Sequence, residues 1–545
     1  MGLQNSKIMI CKNVKLEKDY KDVLDYTEAN MVTLCTTKAV ASASDYSFIR
    51  KEKNTIQTSF AYSDALKCNY MAFQNTDYDS KWFFAFIDDV EYSNDGTARI
   101  KYTVDEFSTW YDYWNPQACF VEREHVNNDT IGYNTIPEGI EFGDYVINTT
   151  GKVTTTLDSN LYIAMGTTKL PSNTPGVTGY KMYGKVYSGV TYLMFQNTES
   201  ATKFVKAIDS MGQDSSSLIL NVCTVPMKMF WNQFGDITWY TGDLGSETGI
   251  SFTPLPNMTT KTLDTVTFSS PSALDGYSPK NNKLLCYPYN VFHISNNAGI
   301  EGEFRYEDFT NLAPVFNVVG TFSPSCSIMC FPTNYKRDSY DNSGYKYGIP
   351  VAKYPQGSWN SDNYTNWLVQ NGVNILGQRI DAPTSHAIAG SLQAFTGAVT
   401  KQYDSVGAGF GTMLGAVQEM YRASLTPNTV NGQINQGDLT CAIGKMSPTY
   451  YKMTIKQEYA RMIDDFFSKF GYKINRLKLP NQVGRQNWNY VKIGVTENIG
   501  YSTNSNRSVP SASMEIINNI YRNGVTIWHS HDNLGNYSLS NNIVT

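Results

Sequence analysis

Catalysis by this chain would have to run through five histidines, a few carboxylate pairs and nine cysteines. His125, His293, His386, His529 and His531 stand outside any G-x-S-x-G elbow or H-E-x-x-H helix, the patterns that bring a base to a nucleophile or two imidazoles to one metal. The phosphate-cradling G-x-x-x-x-G-K-[ST] loop is missing as well. Trp528-His529-Ser530-His531 sets two imidazoles on one face of a strand, where a metal needs further ligands, for instance from a symmetry-related copy. Glu122 and Glu124 share one strand face with Arg123 on the other, the pattern of a solvated strand. Asp88-Asp89 and Asp464-Asp465 are adjacent carboxylates, whereas glycosidases use a spatial separation that adjacency does not supply. Cys326 and Cys330 lie close without a second pair, and a structural zinc takes four ligands, so they read as buried thiols. The odd, scattered cysteines give no disulfide framework and fit folding in a reducing cytoplasm. No catalytic, cofactor-binding or metal-binding residue is assigned, no cofactor is expected, and the chain reads as a non-enzyme.

Two stretches carry chemistry of another kind. From Ala387 to Val417 the chain is apolar in an otherwise Tyr-, Asn-, Ser- and Thr-rich sequence. Ile388, Leu392, Phe395 and Val399 recur at helical spacing, and Val406, Phe410, Met413 and Val417 repeat it after the polar break Thr400-Lys401-Gln402-Tyr403-Asp404. The second arm also holds Leu414 and the small-xxx-small ladder Gly407, Gly411 and Gly415, which lets backbones approach closely in lipid or in a tight bundle. Each arm is shorter than the roughly 18 to 20 apolar residues of a membrane-spanning helix. Two readings fit: a helical hairpin packed on a core, and a hidden apolar loop that is released to act on a membrane. The setting favours the second. Leu376 to Met446 is Gly-, Ala-, Gln- and Asn-rich with no clear strand pattern, and loops far beyond about 15 residues are usually functional or disordered. The other stretch is basic. Lys469, Lys473, Arg476, Lys478, Arg485 and Lys492 follow one another with no acidic residue between them, and Trp488 and Tyr490 are interleaved. They suit DNA phosphates, an acidic partner wall, or a solvated or subunit-facing surface.

The elements that must position these stretches are mainly strands. Only 17% of the 545 residues are charged, while 13% are aromatic, with 38 Tyr, which favours strands and large interfaces over disorder. A net charge of −5 gives no general attraction to nucleic acid. The amino terminus has no charged-then-apolar secretion signal, and the myristoylation-like Met1-Gly2-Leu3-Gln4-Asn5-Ser6 is read as chance.

Residues 1–145 read as a β domain. In it, Trp82 to Tyr92 and Thr97 to Val104 form a hairpin through Ser93-Asn94-Asp95-Gly96, Asp-Gly supplying positive φ angles. Cys119 to Val126 is a further strand. Residues 146–283 read as a separate β-rich domain with one helix near Ala201 to Met211. Residues 284–375 return to strands. After the insertion at 376–446, residues 447–545 are α+β. A helix there presents Ile455, Tyr459, Ile463, Phe466, Phe467 and Phe470 and stops at Gly471; a second runs from Ser511 to Asn523 and stops at Gly524.

Several of these motifs resemble a family. Tyr70-Met71-Ala72-Phe73-Gln74-Asn75-Thr76-Asp77-Tyr78, Lys81-Trp82-Phe83-Phe84-Ala85-Phe86 and Val121 with Arg123-Glu124-His125-Val126 are similar to the tail knob proteins of small short-tailed bacteriophages, of podovirus or picovirus type. Leu285-Cys286-Tyr287-Pro288-Tyr289 resembles the middle of that family. Phe470-Gly471-Tyr472-Lys473-Ile474-Asn475-Arg476, Asn523-Gly524-Val525-Thr526-Ile527-Trp528-His529 and Asn533-Leu534-Gly535-Asn536-Tyr537-Ser538 resemble its carboxyl-terminal signature. The resemblance covers residues 1–145 and 284–545 in compatible order and leaves 146–283 unmatched.

It implies a mainly β, multi-domain barrel or sandwich subunit that assembles in the host cytoplasm into a homohexameric tube at the distal end of the virion tail. In the family the genome leaves through the tube, and long apolar loops plug it and then form a channel in the host membrane. The implied partners are other copies of the chain, further tail and collar proteins, the viral DNA in the lumen and the host membrane. This sequence departs from the pattern by a shorter, more polar loop holding Lys401, Asp404 and Glu419. Two alternatives stay open: a plug without membrane activity, and a receptor-binding adhesin using residues 146–283.

Overall fold

The computed structural model describes residues 3–75, 79–153, 161–171, 174, 182–183, 186–187, 191–210, 218–226, 238–254, 261–297, 299–321, 327–336, 348–350, 357–361, 429–434, 437–442, 448–499, 501–502 and 509–544. Two compact units divide the chain. One comprises Met1–Asp144, Gly276–Tyr289 and Ile455–Thr545; the other comprises Tyr145–Asp275 and Asn290–Thr454. The fold is mainly β, as the composition implies, and among the described residues there are six α-helices: α1 Glu28–Lys38, α2 Tyr62–Ala65, α3 Glu106–Trp110, α4 Thr198–Asp209, α5 Gln457–Phe470 and α6 Ser511–Asn523.

The first unit begins as a closed barrel. Its strands are β1 Leu3–Cys11, β3 Ala39–Glu52, β4 Thr55–Thr58, β7 Thr97–Val104, β6 Lys81–Asn94 and β5 Tyr70–Asn75, hydrogen-bonded in that order. Both faces of β1 are buried from Ile8 to Cys11. Along β1, Ile8 and Ile10 enter one core with Met71, Ala85 and Ile100, while Met9 and Cys11 enter another with Tyr70, Ala72 and Phe84. Period-two alternation between two apolar cores produces the near-continuous apolar runs that mark these strands in the sequence. The β6–β7 hairpin forms where expected, with Asn94 opposite Thr97. Its turn differs in mechanism: neither Asp95 nor Gly96 has positive φ, and Asn94 Oδ1 instead accepts from the Gly96 N–H at 3.0 Å, a side-chain turn.

A five-stranded sheet completes this unit. In spatial order it runs β2 Asp22–Leu24, β12 Val525–Trp528, β11 Trp488–Ile493, β9 Cys119–Glu124 and β10 Tyr472–Lys478, while the short β8, Asn115–Pro116, pairs separately with Tyr501–Ser502. Its β2 pairs in parallel with β12, and the remaining pairs are antiparallel. Met514, Ile517 and Tyr521 of α6 share a core with Val491, Ile493, Phe107 and Trp114. Helix α5 buries Ile463 and Phe467, whereas Ile455 ends the preceding strand, Thr449–Ile455, and so is not part of the helix. Both helices stop as expected, at Gly471 with φ 65° and at Gly524 with φ 88°.

The second unit contains three main sheets. An eight-stranded one runs Tyr240–Leu244, Glu247–Pro254, Thr191–Phe195, Leu161–Thr167, Ile219–Pro226, Gly357–Ser361, Gly437–Ala442 and Thr429–Ile434. Helix α4 packs Ala201, Phe204, Val205 and Ile208 against its Leu193, Phe195 and Phe252. The helix starts at an Asn197 cap, whose Oδ1 accepts from Ser200 N at 2.9 Å. Two four-stranded sheets meet in one aromatic core around Phe292, Phe304, Phe309 and Phe316. Two strands, Thr429–Ile434 and Gly437–Ala442, fall inside the stretch that reads as strand-poor. Their backbones pair with each other and with Gly357–Ser361, so sheet hydrogen bonding overrides a weak local pattern. The apolar stretch from Ala387 to Val417 lies outside the described residues.

Candidate functional site

The basic run falls on α5, β10, β11 and, for Arg485, the connection between β10 and β11 in the first unit. Cross-strand register puts Lys473 and Lys492 on either side of Arg123, so three cations stand in one row across the sheet. A buried carboxylate answers the middle one. Glu138, fully shielded from solvent, accepts from Arg123 Nη2, from Lys283 Nζ and, at 2.9 Å, from the Lys473 N–H. Arg123 also donates to the Gly471 carbonyl at 2.7 Å and stacks 4.8 Å from the Phe466 ring centre. Burial pushes the Lys283 ammonium pKa down, and Glu138 opposes that shift.

The cations of the run separate into three groups. Lys478 pairs with Glu124, and Lys492 with Glu122 at 3.1 Å. Arg485 is built into the fold, its Nη2 donating to Val126 O at 2.9 Å and its Nη1 to Asn541 O at 3.3 Å. Lys469, 5.4 Å above the Tyr537 ring, Lys473 and Arg476, 5.7 Å from the Tyr133 ring, form no ion pair with a described residue. The strand reading of Glu122 and Glu124 as solvated is corrected at Glu124. That residue is fully buried, its pKa raised by burial against the opposing Lys478 ammonium and Asn481 N–H.

The histidines serve as structural parts wherever they are described. His125 Nδ1 accepts from the Tyr490 N–H at 2.8 Å and Nε2 donates to Ser468 O at 3.1 Å. Burial, reinforced by the Arg485 charge, brings its pKa down to about 3 and keeps the ring neutral. Strand β12 ends at Trp528, so His529 and His531 do not share a strand face. His529 contacts Asp25 at 3.1 Å and Asn489 at 3.2 Å, while His531 Nε2 accepts from the Lys15 N–H at 3.3 Å. Among the described residues no three His, Cys, Asp or Glu side chains converge as metal ligands. His293 contacts Glu301 at 3.2 Å, and His386 and Cys326 lie outside the described residues. Burial raises the Cys330 thiol to about 12.

Beside the sheet the first unit encloses a cleft of about 370 Å³, walled by the last turns of α5, by Lys280 and Asn281, by Arg485 and Trp488, and by residues 537–542. Of its lining, sequence reading singled out Lys469 and Arg485 and missed Lys280 and the carboxyl-terminal segment, which only folding brings to them.

The profile of the family described as Bacillus phage phi29 tail knob protein gp9, C-terminal domain, matches residues 254–542, more than half of the chain. The chain belongs to the tail knob protein family. A second profile, caudoviral major tail protein N-terminus, matches residues 4–115, which hold the closed barrel. Over 605 aligned positions the chain is 24% identical to the tail knob protein gp9 of Bacillus phage phi29, covering 99% of each, and it is 23% identical to the corresponding protein of Bacillus phage PZA at the same coverage. Its fold is similar to that of the bacteriophage C1 tail knob protein gp12, with a TM-score of 0.59 at 13% identity, covering 99% of this chain and 100% of that one. As a member of this family the chain is a structural, non-enzymatic component of the phage tail, located in the virion. The apolar residues singled out in the sequence, Ile388, Leu392, Phe395, Val399, Val406, Gly407, Phe410, Gly411, Met413, Leu414, Gly415 and Val417, all lie outside the described residues.

Proposed function

We propose that six copies of the chain form the distal tube of the tail, that the apolar stretch Ala387 to Val417 plugs the tube before genome ejection, and that the same stretch then enters the host membrane to form the passage for DNA. The observation that carries this reading is an isolated apolar stretch, too short in each arm to be a permanent anchor, inside a structural tail protein. Both flanks of residues 362–428 belong to one sheet, Ser361 being paired with Gly437 and Thr429 with Ala442. Released from a closed ring, its apolar surface gains about 25 cal/mol per Å² from any environment that removes it from water, lipid included. A trigger then needs only to bias two burial states. Lys401, Asp404 and Glu419 belong at the tip or against water, because charges at mid-membrane depth are costly. Lys469, Lys473 and Arg476, which lack carboxylate partners among the described residues, are the contacts offered to lumen DNA or to a neighbouring tail subunit.

Dye release from liposomes of bacterial lipid tests the membrane step. The full chain is compared with a deletion of Pro383 to Pro427 that leaves both flanking strands in place, across pH and with the assembly state followed by electron microscopy. Leakage by the full chain alone supports the reading. Rings from both proteins with no leakage in either reduce the stretch to a plug.

A further inference from the structure

We propose that the cleft of the first unit bounded by α5 and residues 537–542 is a binding site for a phosphate group. Its wall contains a charge that the fold leaves unanswered. Arg485 is only 9% exposed and has no carboxylate within ion-pair distance among the described residues; both terminal nitrogens donate to backbone carbonyls. Buried cations are ordinarily matched by a carboxylate or by a bound anion. Asp129 acts on Arg485 electrostatically, but its oxygens are taken by Tyr472 Oη at 2.6 Å and the Asn282 N–H at 3.0 Å. Arg485 Nε finds no acceptor, and neither does Nε1 of Trp488, which lines the same cleft.

Two more cations stand on the lining. Lys280 and Lys469 are exposed and form no ion pair with a described residue. Neither is loosely placed. The Lys280 and Asn281 N–H groups donate to the Asp464 carboxylate at 2.8 and 3.0 Å, which fixes that loop, and Lys469 occupies the last turn of α5. Asp464 itself has its acceptor positions filled, since Tyr277 Oη and Asn281 Nδ2 donate to it as well, and it is not part of the lining. Asp465 is the one carboxylate of the lining, set against three cations. His125 is neutral there because burial, reinforced by the Arg485 charge, disfavours its protonated form.

The geometry selects a phosphate over a carboxylate. Lys280, Lys469 and Arg485 come from three separate segments, and a tetrahedral oxyanion presents acceptors in several directions where a carboxylate presents two in a plane. Ser538 adds a hydroxyl donor to the same lining. A volume of about 370 Å³ falls within the roughly 300 to 1,000 Å³ of small-ligand clefts, so it holds a phosphate together with a group esterified to it. The phosphate has two possible sources, a free phosphate or phosphate ester, and the backbone of nucleic acid. The inference does not depend on the membrane step.

The test is calorimetric titration of the full chain with inorganic phosphate at constant ionic strength, with thermal unfolding followed in parallel. The comparison is the double variant Lys280→Gln, Lys469→Gln, whose substitutions are exposed and leave the Arg485 hydrogen bonds intact. Phosphate should bind the native chain and raise its Tm, with affinity at least tenfold weaker in the double variant. No binding heat and no Tm shift, or equal affinity in the two proteins, overturns the proposal. A short single-stranded oligonucleotide that competes with phosphate assigns the site to nucleic acid; one that does not compete assigns it to free phosphate or a phosphate ester.

Discussion

At the scale of single residues, burial changes what a side chain does. Glu124 ends β9 and His125 follows it, and both are shielded from solvent, one as a carboxyl held by Lys478 and the other as a neutral imidazole. The histidine gives a pH prediction. Its folded pKa of about 3 lies below the 6.5 of an unperturbed imidazole, so the unfolded chain takes up the proton first as pH falls. The stability it contributes is complete above about pH 6.5 and is lost as pH falls from there toward 3, at about 1.4 kcal/mol per unit. Between pH 6.5 and 4.5 the Tm of the native chain should therefore fall more steeply than that of His125→Gln. Parallel slopes in the two proteins would show that His125 is not the group responsible.

At the scale of elements, the stops of the two carboxyl-terminal helices carry more than a turn preference. Gly471 closes α5 with φ 65° and ψ −153°, a region essentially reserved for glycine. A Cβ there would also collide with the backbone carbonyl of Glu124, so the same residue sets how closely α5 approaches β9. Gly471→Ala should cost about 3 kcal/mol, from strain and from the displaced backbone. Chemical denaturation read by tryptophan fluorescence measures it, and a loss under 1 kcal/mol would show that the contact relaxes freely. The helix stops are legible in sequence because capping is local. The turn of the β6–β7 hairpin is legible in position but not in mechanism, since a side-chain acceptor from Asn94 replaces the positive φ angles that Asp-Gly suggests.

At the scale of the whole molecule, the second unit ties the flanks of 362–428 into its eight-stranded sheet through backbone pairs. Removing Pro383 to Pro427 shortens the connection to about a third and changes its closure entropy by only about 1 kcal/mol. The deletion should keep the far-UV spectrum of the native chain, and its assembly state by light scattering should be unaltered. A protein that no longer assembles would make the apolar stretch part of the scaffold.

The sequence by itself determined the β character, the two capped helices and α4, the absence of any recognisable catalytic spacing, and the family, because periodicity, capping and motif order are properties of neighbouring residues. Tertiary structure decided which charges remain available. The run from Lys469 to Lys492 contains no acid, yet Lys492 is paired with Glu122, 370 positions away, and Lys478 with Glu124, 354 positions away. Folding likewise placed Glu138 between Arg123 and Lys283, and brought Lys280, Arg485 and residues 537–542 around one cleft. Counter-ions, burial and cavities depend on distance in space, and no local pattern encodes which remote segment a sheet will bring alongside.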